Sequence, residues 1–137
     1  MEVAARLGGG HDAELCRAVT GIDLNDLAIS FALGEPVDPP SGSEPQAVGA
    51  PGGGCVHFLV APAGELRSTQ GVAEAAAREG VEWVRTYRRP GWRFVPLRRG
   101  ADRAGAVLAL GASRDEALAR ADRAAETVRF LVDANAA

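Results

Sequence analysis

Apolar positions along the chain fall into short periodic runs. In residues 2–7, Glu2, Ala4 and Arg6 alternate with Val3, Ala5 and Leu7, the two-residue period of a strand. A strand with nothing before it has an unfilled edge, so its sheet is expected to be completed from elsewhere. Gly8, Gly9 and Gly10 follow, and Asp12 is placed to cap a helix over 13–19 that Gly21 closes. From about Asp23, Leu24, Leu27, Ala28, Phe31 and Ala32 recur at helical spacing until Gly34 and Pro36 end the run. Half of positions 35–54 are Gly or Pro, a composition that buries no core and predicts a surface loop.

From Val56 the pattern changes. Val56 to Val60 reads as a strand, Pro62-Ala63-Gly64 as a turn, and Glu65 to Thr69 as a second strand. Gly71 to Glu79 reads as a short helix ended by Gly80. Val81 to Arg88 and Trp92 to Leu97 read as antiparallel neighbours around a tight turn at Pro90-Gly91, and Gly105 to Leu110 as a further apolar strand. Ser113-Arg114-Asp115-Glu116 is a capping box opening a last helix. Ala117, Ala121, Ala124, Ala125, Val128, Leu131 and Val132 share one face of it, which predicts that it covers a sheet. The class is α+β: a mostly antiparallel sheet with flanking helices and a long C-terminal helix packed on it. Three parts are expected: a helical lead-in at 1–34, the loop at 35–54 and a mixed unit at 55–137.

Composition narrows the chemistry. At 137 residues and 47% apolar, the chain can bury a core without disulfides or metal staples. No apolar run approaches the roughly 20 residues of a membrane-spanning helix, and no basic-then-apolar export signal opens it, which points to the cytoplasm. Net charge is −3, so no global attraction to nucleic acid or acidic lipid is expected. All 15 basic residues are Arg. Schiff-base chemistry and a P-loop lysine are therefore excluded for this chain.

Several groups could carry chemistry. His11 and Cys16, with Cys55 and His57, would offer four zinc ligands, but neither spacing forms a metal knuckle, and buried thiols with an ordinary strand histidine are preferred. Cys16 lies mid-helix with no evident cation to lower its pKa, which argues against a nucleophile. Seven arginines between Arg85 and Arg103, interleaved with Trp83, Tyr87, Trp92 and Phe94, could meet nucleic acid by phosphate contact and base stacking. A twisted hairpin with aromatics inward and Arg outward explains them equally, and the net negative charge favours that reading. Arg contacts to a partner surface or to acids of the same fold are preferred to nucleic acid. The strongest group is Glu2-x-Ala4-x-Arg6 before the glycines. A carboxylate and a guanidinium on one strand face suit a place where Mg²⁺ meets phosphate, and the glycines let a ligand approach the backbone.

That stretch, with Thr20-Gly21-Ile22-Asp23-Leu24 and Ala28-x-x-x-Ala32-Leu33-Gly34 after it, resembles the end of the ATP-grasp domain of carboxylate–amine (L-amino-acid) ligases, relatives of biotin carboxylase. Phe58 to Gly64, Gly71 to Val81, and Asp102 to Gly111 with the helix start at Ser113 resemble the family's small C-terminal domain. The resemblance implies an enzyme in which ATP phosphorylates a carboxylate and an amine attacks the acyl phosphate, with ATP and Mg²⁺ as cofactors. It implies Glu2 as a Mg²⁺ ligand, Arg6 as the contact to the transferred phosphate, and Gly8 and Gly9 beside the nucleotide. The family's second metal-binding residue in this motif, an asparagine, falls on Ala4, which cannot coordinate. The family's nucleotide clamp and its lysines have no counterpart here. The chain alone is thus expected to be inactive, and to need a separate ATP-grasp chain or segment. The rival expectation is a non-catalytic module that forms a homodimer or adaptor through its open sheet edge.

Overall fold

The computed structural model describes residues 6–37 and 51–133. The chain opens with helices α1 (Asp12–Thr20) and α2 (Leu24–Ala32). There follow β1 (Gly53–Leu59), β2 (Gly64–Gln70), the five-residue helix α3 (Val72–Ala76), β3 (Val81–Thr86), β4 (Arg93–Phe94), β5 (Gly105–Gly111), α4 (Arg114–Thr127) and β6 (Arg129–Asp133). Two three-stranded sheets form, in the orders β1-β5-β3 and β4-β2-β6, and every pairing is antiparallel. The α+β class with antiparallel sheets and a covering C-terminal helix is the architecture observed.

The helix termini follow local chemistry. Asp23 caps α2, its carboxylate accepting from the N–H groups of Asn25 (2.9 Å) and Asp26 (3.4 Å). Ser113 Oγ accepts from Glu116 N–H at 3.2 Å to start α4, and the Glu116 carboxylate accepts from Ala112 N–H at 2.7 Å, one residue before the position a capping box uses. The α4 face carrying Ala117, Ala121 and Ala124 is wholly buried against β1 and β5. Small side chains let the helix ride close to the sheet: a Cβ on Gly111 would lie 2.6 Å from Ala117 N.

Two apolar cores result. Leu59, Ala75, Val107 and Ala124 form the first, under the sheet that α4 covers. Ala61, Leu66, Phe94 and Ala104 form the second, on the β4-β2-β6 sheet. Phe130 packs against both and meets Phe94 edge-on at 5.9 Å between ring centroids. Each fully buried Val or Leu here contributes about 1.5–3 kcal/mol of apolar transfer.

Four expectations need correction. The last helix stops at Thr127, and residues 129–133 form β6 along β2. Val128, Leu131 and Val132 fit a helical stripe, but Arg129-Phe130-Leu131-Val132-Asp133 also alternates, and pairing with β2 decides. The segment after Pro90-Gly91 does not return beside β3. Gly91 N–H donates to Leu66 O and Leu66 N–H to Trp92 O, each at 2.8 Å, so the chain crosses to β2, where only Arg93 and Phe94 pair. The expected helix over 71–79 shortens to Val72–Ala76. The helix expected from Asp12 as cap starts at Asp12 itself, with His11 in the cap position and no side-chain cap bond.

Residues 1–5 and 38–50 lie outside those described, which takes in Glu2 and most of the expected loop. Of the strand expected over 2–7, Arg6 sits in a bend and Leu7 is in no strand, and among the described residues no strand pairs with them.

Candidate functional site

The glycine turn and α1 meet the first sheet through one polar and aromatic cluster. Gly10 has φ +72°, and a Cβ there would lie 3.1 Å from Phe58 Cζ, so glycine satisfies both a left-handed backbone and a close ring. His11 follows with φ 73°, the one non-glycine residue at positive φ among those described. An L-residue there costs about 1 kcal/mol or more. Side-chain bonds offset that cost. The Nδ1 of His11 bonds the Glu14 carboxylate, and its Nε2 lies 2.6 Å from Tyr87 Oη. Arg85 donates to the other oxygen of Glu14.

These partners assign the protons. A carboxylate only accepts, so His11 Nδ1–H donates to Glu14. In the neutral ring Nε2 then accepts from the Tyr87 hydroxyl. Burial pushes the Tyr87 pKa above its ordinary value, with Arg103 and Arg85 opposing, so the phenol keeps the proton it donates. Burial also raises Glu14, but its bonds to Arg85 and His11 outweigh that and hold the carboxyl below its usual range.

Rings and cations complete the cluster. Trp83 meets His11 edge-on at 4.9 Å, Arg85 lies 4.3 Å over Trp83, and Arg103 lies 3.5 Å over Phe58. The twisted-hairpin reading set aromatics inward and arginines outward. Trp83, Arg85 and Tyr87 instead work together toward α1, as odd positions along one strand direction allow.

Of the site residues expected from sequence, Arg6, Gly8 and Gly9 are exposed on the run leading to this cluster, while Glu2 lies outside the described residues. Among the described residues Arg6 Nη1 donates only to Leu7 O, at 3.3 Å. An added Cβ on Gly8 would strike the Asp12 carboxylate at 1.9 Å, whereas at Gly9 it would meet nothing within 4 Å. Glu14, Tyr87 and Arg85 were not singled out as site residues with His11; the signals were a histidine closing a glycine run and the alternation of Trp83, Arg85 and Tyr87.

The remaining candidates sit apart. His57 Nδ1 is 2.8 Å from Asp122 Oδ1, joining β1 to α4 at the mouth of a cleft of about 470 Å³. Burial first, and then Asp122, raise the pKa of Cys55, so it is a thiol and no activated nucleophile. Cys16 lies 3.4 Å from Thr20 Oγ1 on its own helix. Among the described residues no three His, Cys, Asp or Glu converge to hold a metal ion, and no helix is long and apolar enough to cross a membrane.

Comparison with known proteins places this arrangement. The fold superposes on phosphoribosylglycinamide synthetase from Anaerococcus prevotii with a TM-score of 0.75 over 93% of this chain and 32% of that one, at 14% identity. It superposes equally on an L-amino acid ligase from Bacillus licheniformis, TM-score 0.75, over 94% of this chain and 31% of that one, at 21% identity. In sequence, the chain is 32% identical over 133 residues to the "Uncharacterized protein y4rH" of Sinorhizobium fredii, and it spans 26% of that relative's length. Residues 57–133, more than half the chain, match the family described as L-amino acid ligase C-terminal domain 2. The chain therefore belongs to the L-amino acid ligase C-terminal domain 2 family, with the fold of the C-terminal part of ATP-grasp ligases.

Proposed function

We propose that this chain serves as the C-terminal segment of an ATP-dependent carboxylate–amine ligase. The observation that carries the reading is the family match over 57–133 within a fold shared almost end to end with two ligase and synthetase structures. In such an enzyme ATP phosphorylates a small-molecule carboxylate. The amine then attacks the acyl carbon and phosphate leaves.

The role proposed for Arg6 is to neutralise the transferred phosphate. Among the described residues its guanidinium donates only to the Leu7 carbonyl, and a guanidinium fork suits two phosphate oxygens. Gly9, with nothing within 4 Å of where a Cβ would stand, leaves its backbone open to a ligand, and Gly8 packs beside the Asp12 carboxylate. The His11–Tyr87–Glu14–Arg85 network fixes the turn that presents them. Glu2 is proposed as a Mg²⁺ ligand, but Ala4 stands where the family has its asparagine, and among the described residues no cation cage forms. This donor set does not hold Mg²⁺ by itself. With no lysine in the chain, the ammonium contacts by which the family holds the nucleotide phosphates have to come from outside it. The chain alone is accordingly inactive, binds MgATP negligibly, and acts with a separate ATP-grasp chain or segment in the cytoplasm.

A second reading, a homodimerising or adaptor module without catalysis, is favoured by α2, where Ile29, Phe31 and Leu33 are 59%, 78% and 69% exposed. One experiment separates the two. The chain is titrated with MgATP in a calorimeter, alone and after mixing with the part of the Sinorhizobium relative that its match leaves uncovered. ADP release is then followed with carboxylate and amine panels. The ligase reading expects binding and ADP release only in the mixture, with Arg6→Ala cutting turnover about a hundredfold. Turnover by the chain alone, or full turnover in the Arg6→Ala mixture, overturns it. A mixture that never releases ADP while the chain runs as a dimer in light scattering establishes the module.

A further inference from the structure

We infer that the arginine-rich face between Arg88 and Arg99 is a docking surface for an acidic polypeptide segment carrying large apolar side chains. Charge is segregated in this chain. Residues 85–103 hold seven Arg and a single acid, Asp102, leaving eight Arg against seventeen acids elsewhere. Among the described residues outside this segment Arg17, Arg67, Arg114 and Arg120 pair with carboxylates, and at its start Arg85 pairs with Glu14. On this face Arg99 takes the lone Asp102, while Arg89 and Arg98 have no side-chain partner among the described residues. Both residues are exposed.

Apolar surface lies between them. Trp92 is 48%, Val95 52% and Leu97 49% exposed, on a run from Val95 to Ala101 that is exposed throughout. Val95 and Pro96 form the apolar wall of an open cleft of about 520 Å³ that Arg98, Arg99 and Asp102 also line, the Asp102 carboxylate being taken by Arg99 and by the backbone N–H groups of Arg98 and Arg99. Such a cleft accepts a large apolar side chain while flanking carboxylates reach the rim.

The aromatic faces decide between kinds of polyanion. A single-stranded nucleic acid binds by stacking bases on open rings. Here Arg88 covers Trp92 at 4.3 Å, Arg85 covers Trp83, Arg103 covers Phe58, and Phe94 is buried. Arg88 is also pinned by bonds to the carbonyls of Tyr87 and Ala101. With a guanidinium already stacked on Trp92, Trp83 and Phe58, and Phe94 buried, the surface offers charge plus half-exposed apolar anchors, which is what an acidic, Leu-bearing peptide recognises.

The test uses the full chain and fluorescence anisotropy with three labelled probes of equal length: repeated Glu-Glu-Leu, repeated Gln-Gln-Leu, and oligothymidylate. The Glu peptide is expected to bind, to weaken with salt, and to lose about tenfold in affinity with Arg89→Glu/Arg98→Glu. The Gln peptide is expected to fail. Because neither arginine has a side-chain hydrogen bond or ion pair among the described residues, the double variant should melt as the parent does. Equal binding of the Gln peptide, oligothymidylate binding as tightly as the Glu peptide, or unchanged affinity in the charge-reversed variant each overturns the inference. So does a dimer in light scattering that the double variant dissolves, which would make a second copy the occupant.

Discussion

The hydrogen bond between His11, at the N-cap of α1, and Tyr87, just past β3, joins the two elements, and its removal can be followed quantitatively. Tyr87→Phe deletes the hydroxyl and leaves His11 Nε2 without a protein partner. A net hydrogen bond contributes about 1 kcal/mol, and a fully buried orphan costs up to about 3 kcal/mol. The His11 side chain is 21% exposed, so water reaches part of the ring and the loss should sit near the lower value, about 1 kcal/mol. For a chain of this size that lowers Tm by roughly 4 °C. His11→Ala removes both ring bonds and keeps the left-handed backbone, whereas His11→Gly removes the same bonds but relieves the backbone. The glycine variant should therefore be more stable than the alanine variant by about 1 kcal/mol. Urea unfolding read by tryptophan fluorescence suits the measurement, because Trp83 touches the His11 ring. In a double-mutant cycle, Tyr87→Phe and His11→Ala should couple by about 1 kcal/mol. Additivity within about 0.3 kcal/mol, or a glycine variant no more stable than the alanine one, would refute the account of the joint.

Two further outcomes follow from the same coordinates. Gly71 has φ +76° and would set a Cβ 2.1 Å from Thr127 O, so Gly71→Ala should cost more than about 2 kcal/mol in urea denaturation; a change under 0.5 kcal/mol would contradict the packing of α3 on the end of α4. Glu14 is held below its ordinary pKa of 4.5, so it stabilises the fold above that pH, and this stabilisation is lost as pH falls through the lower folded value. The difference in unfolding free energy between parent and Glu14→Gln should shrink between pH 6 and pH 3, and a difference independent of pH would dismiss the charge effect.

Much of the fold was legible because local signals agreed with tertiary demand. The Asp23 cap, the Ser113 box and the apolar run at β5 each specify their element through neighbours in sequence. Legibility failed where two periods fitted one segment. Residues 128–132 satisfy helix and strand alike, and only β2, far back along the chain, selects the strand. It failed again at Pro90-Gly91, where a turn signal fixes the bend but not the sheet that receives the next residues. The glycine run that leads into the candidate cluster was visible as a motif. The clasp behind it was not, because it joins His11 and Glu14 to side chains more than seventy positions away, a proximity no local spacing encodes.

The pairing of β2 with β6 has a consequence for how the molecule forms. Gln70 meets Arg129 and Glu65 meets Asp133, so β2 must wait for nearly the whole intervening chain before that side is closed. Until then it offers a bare row of amides and carbonyls, and the equivalent strand of a neighbouring chain matches it as well as its own. Refolding in dilute solution should give monomers closed on themselves, while crowded refolding should yield pairs that have traded their last strand.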